Sequence, residues 1–188
     1  ALDARPVIKL WEYNNGETVE ITDVCIIYGD GDMYDISLNI VENTTVIFDA
    51  GTSGVKLSAP ITVADGKTLT LRIEGDAEHT VNGGISLGNS SNVIIEGDLT
   101  KENNKLTVTA TDGNAGIGAN NGVTAGDITI RNARVDATGS SKEAPEIHRS
   151  TSISGAAIGT SDGSMGNILI ENSIIVAEGG YYEYETPA

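Results

Sequence analysis

Residues 114–139, NAGIGANNGVTAGDITIRNARVDATG, recur as residues 155–179, GAAIGTSDGSMGNILIENSIIVAEG, and no other feature limits the fold so tightly. With a one-residue slip, Ile117-Gly118 falls on Ile158-Gly159 and Gly126-Asp127-Ile128 on Gly166-Asn167-Ile168. Ile130 then falls on Ile170, Asn132 on Asn172, and residues 135–139 on 175–179. Shared Gly and Asn at turns, with shared apolar residues between them, mean one supersecondary unit built twice. Repetition on this scale is the signature of a solenoid.

The pattern extends upstream to about residue 45. A short apolar element beside a turn recurs as Val55-Lys56-Leu57, Ile85-Ser86-Leu87, Gly116-Ile117-Gly118 and Ala157-Ile158-Gly159, in steps of thirty, thirty and forty-one residues. A second ladder runs through Leu69 to Ile73, Val93 to Ile95, Ile128 to Ile130 and Ile168 to Ile170. A third runs through Leu106 to Val108, Val135 to Ala137 and Ile175 to Ala177. Most of these alternate with period two and close on Gly, Asn or a short polar stretch, and none carries helical periodicity. The expected fold is all-β: a parallel β-helix of about four coils over residues 45–180, with inward Ile, Leu, Val and Ala stacked coil on coil. Asn132 and Asn172 should lie one above the other inside a bend, where their amides can hydrogen-bond along the axis; Gly75 and Gly97 hold that place in earlier coils. Residues 140–152, SSKEAPEIHRSTS, interrupt the period and should form a surface loop.

Residues 1–44 stand outside the repeat and read as a strand-rich N-terminal cap, with residues 181–188 as a tyrosine-rich tail. Apolar runs from Val7 to Tyr13, Val19 to Thr22, Val24 to Tyr28 and Ile36 to Val41 are mostly bounded by turn residues such as Asn14-Asn15-Gly16 and Gly29-Asp30-Gly31. The first fifty residues carry ten carboxylates against Arg5 and Lys9. The net charge of −16 argues against nucleic acid and anionic membrane as partners, and favours solubility, cation binding or basic partners. No apolar run reaches membrane-spanning length. With one cysteine no intrachain disulfide forms, and Cys25, within VCII, reads as a small buried hydrophobe. The chain opens on Ala1 rather than Met, as a mature secreted form would. Asn43-Thr44-Thr45 and Asn89-Ser90-Ser91 fit the glycosylation sequon, although chance matches are expected in a chain rich in these residues.

The aromatic residues cluster at the two ends: Trp11, Tyr13, Tyr28, Tyr34 and Phe48 near the start, and Tyr181, Tyr182 and Tyr184 in the last eight residues. A narrow aliphatic core needs no rings, whereas open solenoid ends must be covered. The sharper reading makes Trp11, Tyr13, Tyr181, Tyr182 and Tyr184 contacts to sugar faces or to another subunit.

Catalytic patterns are sparse. Glu74, Glu96, Asp136 and Glu171 sit on different coils, whereas glycoside hydrolysis needs two carboxylates facing one sugar. A lyase would use an arginine base, for which Arg131 or Arg134 beside Asp136 and Glu171 are the central candidates; an outward salt-bridged face explains the same residues. Glu146, His148 and Arg149 gather in the insert without an obvious nucleophile, and His79 stands alone. Asp30, Asp32 and Asp35, with Asp23 nearby, supply hard oxygen ligands suited to calcium, although the turn lacks the glycine and the glutamate of an EF-hand loop.

The motifs NAGIGAN with AGDITIRN, and GAAIGTS with GNILIEN, resemble the Gly-rich coils of right-handed parallel β-helix proteins. They are most similar to bacterial cell-surface proteins whose coils read G-x-G-I-G before a G-x-I-x-I strand, though here the turn reads A-G-I-G and A-A-I-G. That resemblance implies an extracellular or cell-surface setting, often with carbohydrate or host surfaces as partners. The expectation is therefore a non-catalytic structural or adhesive domain, acting by self-assembly into a filament or surface layer, through end-to-end or β-strand-addition contacts between its own subunits, or by polysaccharide binding. The alternative is a small polysaccharide lyase acting on acidic glycans.

Overall fold

The computed structural model describes residues 5–49, 53–120, 122–142 and 153–181. Strands are numbered along the chain. The first sheet holds β1 (Val7–Lys9), β3 (Cys25–Tyr28), β6 (Thr44–Phe48), β9 (Thr68–Ile73), β12 (Asn92–Glu96), β15 (Ile128–Arg131) and β20 (Ile168–Glu171), in that order. The second holds β4 (Met33–Tyr34), β7 (Lys56–Leu57), β10 (Glu78–Asn82), β13 (Lys105–Thr109), β16 (Arg134–Thr138) and β21 (Ile174–Glu178). The third holds β2 (Glu17–Ile21), β5 (Ile36–Ile40), β8 (Ile61–Val63), β11 (Ile85–Leu87), β14 (Ile117–Ala119) and β19 (Ile158–Thr160). The chain visits first, second and third sheet in turn, and every pairing within these sheets is parallel: a β-helix.

The repeat is a register. Ile117 pairs with Ile158, Ile128 with Ile168, Ile130 with Ile170, and Val135 with Ile175. Asn132 and Asn172 both take the left-handed conformation, φ 51° and 42°, and the Asn172 amide donates to Asn132 Oδ1 at 2.7 Å. That rung lies on the exposed outside of the bend rather than inside it, because both side chains point away from the core. The expected glycines do not continue this column: in register Gly97, which lacks the left-handed conformation, precedes Asn132, Ile73 stands one rung earlier, and the left-handed Gly75 (φ 82°) lies two residues further along. The shared Ile-Gly is a matter of space: Gly118, at φ 145°, lies against the Gly159 backbone, and a Cβ there would collide with the Gly159 carbonyl oxygen.

Two further expectations change. The solenoid does not begin at residue 45, because β2, β3, β4 and β5 join the same sheets in the same sense. Leu38 pairs with Ile61 and Cys25 with Val46, and the sheets accordingly hold six or seven strands where four coils were expected. Lys56-Leu57 also leaves the ladder proposed for it. It pairs with Thr80-Val81 in the second sheet, and Ile61–Val63 is the strand that meets Ile85–Leu87. Early coils are shorter than late ones, so a constant thirty-residue step selects the wrong partner. The insert leaves the helix between β16 and β19, its stem a short antiparallel pair of Ser141–Lys142 (β17) with Ser154 and Ile153 of β18 (Ile153–Ser154).

The core is a narrow aliphatic column in which Leu38, Leu57, Leu69, Ile85, Val93, Leu106, Ile117, Ile128 and Val135 are fully buried. Three polar devices complete it. At the corner leading into the first sheet, side chains accept backbone amides from the next rung. Asn43 takes the amide of Thr68 (2.9 Å), Asn92 that of Asp127 (2.7 Å), and Asp127 that of Asn167 (2.7 Å). Beside them Asp65 takes the Asn89 amide (2.7 Å) and Asn89 that of Thr124 (3.1 Å), so both sequon asparagines serve as rungs. The buried Asn104 accepts from the Asp98 amide at 2.9 Å and donates to the Ile73 and Gly75 carbonyls at 3.1 and 2.8 Å.

His79, fully buried, tilts against Phe48 with ring centroids 5.8 Å apart. Its Nδ1 accepts from the Val55 amide at 3.1 Å, which leaves the proton on Nε2 to donate to the Glu74 carbonyl at 3.0 Å. Burial holds its pKa below the ordinary 6.5. Unfolded His79 therefore takes up a proton first, and its contribution to stability is present above pH 6.5 and declines as pH falls below it. Unfolding midpoints from pH 7.5 down to about pH 5 should show this decline, and His79→Gln should flatten it. Asn104→Ala, which removes the partner of one buried and one partly buried carbonyl, should cost about 2–4 kcal/mol in denaturant unfolding.

Candidate functional site

The outward side of the first sheet carries a row of alternating charge. Parallel register aligns Arg72, Glu96, Arg131 and Glu171 on four successive strands. The Glu96 carboxylate accepts from Arg72 Nε at 3.2 Å and from Arg131 Nε at 2.8 Å, and Arg131 adds a second, shorter contact through its terminal nitrogen. Partial burial would raise the Glu96 carboxyl, but hydrogen bonds from Arg131 and Arg72 hold it below its ordinary value. On the second sheet Lys105 lies 3.0 Å from both Glu78 and Asp136, and those two bonds raise its pKa. The outer faces are thus laced by charge pairs across rungs.

That lacing also separates the candidate lyase residues. Arg131 ends β15 in the first sheet, bound to Glu96, while Arg134 opens β16 in the second. Asp136 is held by Lys105. The Arg134 Nε is buried without a hydrogen-bond partner among the described residues.

Next to the charged row, at the corner between the first and second sheets, lies an open groove of about 570 Å³. Asp49, Arg72, Glu74, Asp98 and Lys101 line it, floored by Gly75 and Gly97. Its mixed charge suits a hydroxyl-rich or zwitterionic ligand better than an apolar one.

The proposed calcium ligands do not converge. Asp23 precedes β3 at the corner entering the first sheet, Asp30 and Asp32 precede β4, and Asp35 follows it. The Asp30 carboxylate accepts from the Tyr34 hydroxyl at 2.8 Å and from the Asp32 amide at 3.1 Å, which lowers its pKa. Burial and this bond push the Tyr34 phenol up to about 12. Among the described residues no three His, Cys, Asp or Glu side chains gather as a metal site. Turn chemistry explains these aspartates. Cys25 is buried beneath the first sheet, its thiol pushed up to about 11 by burial and by Asp23.

The aromatic candidates do not form one surface. Trp11 is half exposed in the 3-10 turn Leu10–Glu12 at the first end of the solenoid, and Tyr13 next to it packs on the core. Tyr181 is exposed at the opposite end, after β21. Tyr182, Tyr184, Glu146, His148 and Arg149 lie outside the described residues.

The structure adds a feature that the search for motifs passed over. On the last rung Ile168, Leu169, Ile170, Ile174 and Val176 are all exposed, Val176 the most. Leu169, Ile174 and Val176 occupy outward positions that hold Thr129, Arg134 and Asp136 one rung earlier. The signal was legible in the repeat itself, where ITIRNARVDA becomes ILIENSIIVA.

Comparison of the chain with protein-family models, curated proteins and solved structures finds no match.

Replacing Glu96 by Gln leaves Arg72 and Arg131 facing an uncharged neighbour across adjacent rungs. The expected loss is about 1 kcal/mol at low ionic strength, shrinking with added salt, as read from unfolding in 10 mM and 500 mM NaCl.

Proposed function

We propose that this chain is a non-catalytic, extracellular or cell-surface β-helix domain with a structural or adhesive role, and that it works by assembly through the end of the solenoid that carries β20 and β21. The observation behind this reading is the apolar last rung. Ile168 and Ile170 continue a buried column to an edge that no further described strand pairs with, and Leu169, Ile174 and Val176 turn the outer surface apolar where the previous rung is polar. Contiguous exposed apolar surface on a strand edge is what a partner covers. The extracellular setting rests on the resemblance of the Gly-rich coils.

The charge lacing fits a scaffold. Arg131, which a lyase would need unencumbered near its substrate, is committed to Glu96, so cleavage of acidic glycans is the less favoured alternative. Polysaccharide binding has one specific observation in its favour, the polar groove lined by Asp49, Arg72, Glu74, Asp98 and Lys101.

Sedimentation velocity over a hundredfold range of concentration tests the main reading: the expected result is association that grows with concentration, and a strict monomer throughout overturns it. Isothermal titration with polygalacturonate and with a neutral glucan tests the groove. Heat from either, lost in Arg72→Ala, would favour sugar binding, and release of unsaturated uronide would restore the lyase.

A further inference from the structure

The chain contains three Asn-Gly steps, Asn15-Gly16, Asn82-Gly83 and Asn121-Gly122. Asparagine followed by glycine is chemically fragile, because no Cβ shields the glycine nitrogen from the asparagine side chain. Hydroxide removes the glycine N–H proton and the nitrogen adds to the asparagine Cγ. The bond from Cγ to the side-chain nitrogen breaks, ammonia leaves, and a five-membered succinimide remains. Water opens either of its carbonyls, giving aspartate or isoaspartate.

In the folded chain the nitrogen needed for that attack is already engaged. The Gly16 amide donates to the Asp35 carbonyl at 2.6 Å, the Gly83 amide to Thr109 at 2.7 Å, and the Gly122 amide to Asp162 at 2.8 Å. Each bond runs to the next rung, beside the pairs Glu17 with Ile36, Asn82 with Thr109, and Ala119 with Thr160. Asn121 itself lies outside the described residues.

The other two steps are held unequally. Asn15 is exposed in a turn that the Glu17 amide closes on the Asn14 carbonyl at 3.2 Å, and a Cβ added at Gly16 would meet nothing within 4 Å. Asn82 ends β10, and the buried Gly83 presses on the preceding rung, where an added Cβ would stand 2.7 Å from the Pro60 nitrogen. Freeing the Gly16 amide takes the opening of one surface turn. Freeing the Gly83 amide takes the parting of a rung from its neighbours.

We propose that Asn15 is the site at which the folded chain undergoes spontaneous deamidation, and that Asn82 is a latent site reached by the same chemistry only when the stack opens. An isoaspartate puts one extra methylene into the backbone. At residue 15 an exposed turn takes it up; at residue 82 it falls between β10 and β11, whose registers are both fixed by paired neighbours.

The test incubates the full chain in mildly alkaline buffer, folded and in guanidinium chloride, and follows both sites by peptide mapping with mass spectrometry. Unfolded, residues 15 and 82 should convert at comparable rates, since each precedes a glycine. Folded, Asn82 should convert at least about a hundredfold more slowly than in denaturant, and Asn15 at least about tenfold faster than Asn82. Asn104→Ala, which loosens the rung paired with β10, should speed conversion at Asn82 and leave Asn15 as in the parent. Asn82 converting as fast folded as unfolded overturns the latent site. A folded chain that keeps Asn15 intact, or converts Asn82 as fast as Asn15, overturns the assignment to Asn15. Equal acceleration of both sites by Asn104→Ala overturns local opening as the cause.

Discussion

Everything in this molecule depends on parallel strands stacking in register, rung upon rung, at a nearly constant cross-section. Each inward position is shared with the rung above and below, so Leu69, Val93, Ile128 and Ile168 form one column and Leu106, Val135 and Ile175 another. A column tolerates little variation in size. That is why the interior is aliphatic, why Phe48 is the only Phe, Tyr or Trp fully buried among the described residues, and why His79 is accepted beside it only with both ring nitrogens bonded.

The same stacking dictates how corners and faces are built. Where the chain turns into the first sheet, Asn43, Asn92 and Asp127 each hand an oxygen to a backbone amide on the next rung, converting a bend into a ladder. Outward, the spacing of about 4.8 Å between neighbouring strands places Arg72, Glu96 and Arg131 within reach of one another. These residue types look catalytic when read singly, yet here they bind rung to rung. Function in such a scaffold belongs to positions where stacking ends or is interrupted. The insert after β17 is one, and the edge of β20, which no further described strand pairs with, is another.

How much of this was legible varies with how faithfully the repeat was kept. The strongest repeat could be read down to single partners: Ile117 with Ile158, and the Asn132–Asn172 rung, follow from aligning two stretches of sequence. Lys56-Leu57 was misassigned because period-two alternation announces a strand without saying which sheet it enters, and coil length changes along the chain. The first 44 residues, read as a cap, hold true rungs whose aromatic and acidic residues disguise the repeat. Among candidate site residues, Asp23, Asp30, Asp32 and Asp35 are close in sequence, but β3 and β4 divide them among three turns, and only Asp30 and Asp32 share one. Trp11 and Tyr181 are sent to opposite ends for the same reason.

The sequence by itself determined the class of fold, the inward columns and the left-handed turns, because each is written in a local period or in a residue that alone suits its backbone. Only the tertiary structure decided where the solenoid starts, which charges neutralise one another, and which apolar residues near its ends are buried. Those depend on the number of residues between strands and on what lies across the axis. Leu10 and Ile170 are both apolar residues in short strand-like runs. One is buried because the chain folds a turn over the end of the stack, and the other is exposed because, among the described residues, no further rung covers it.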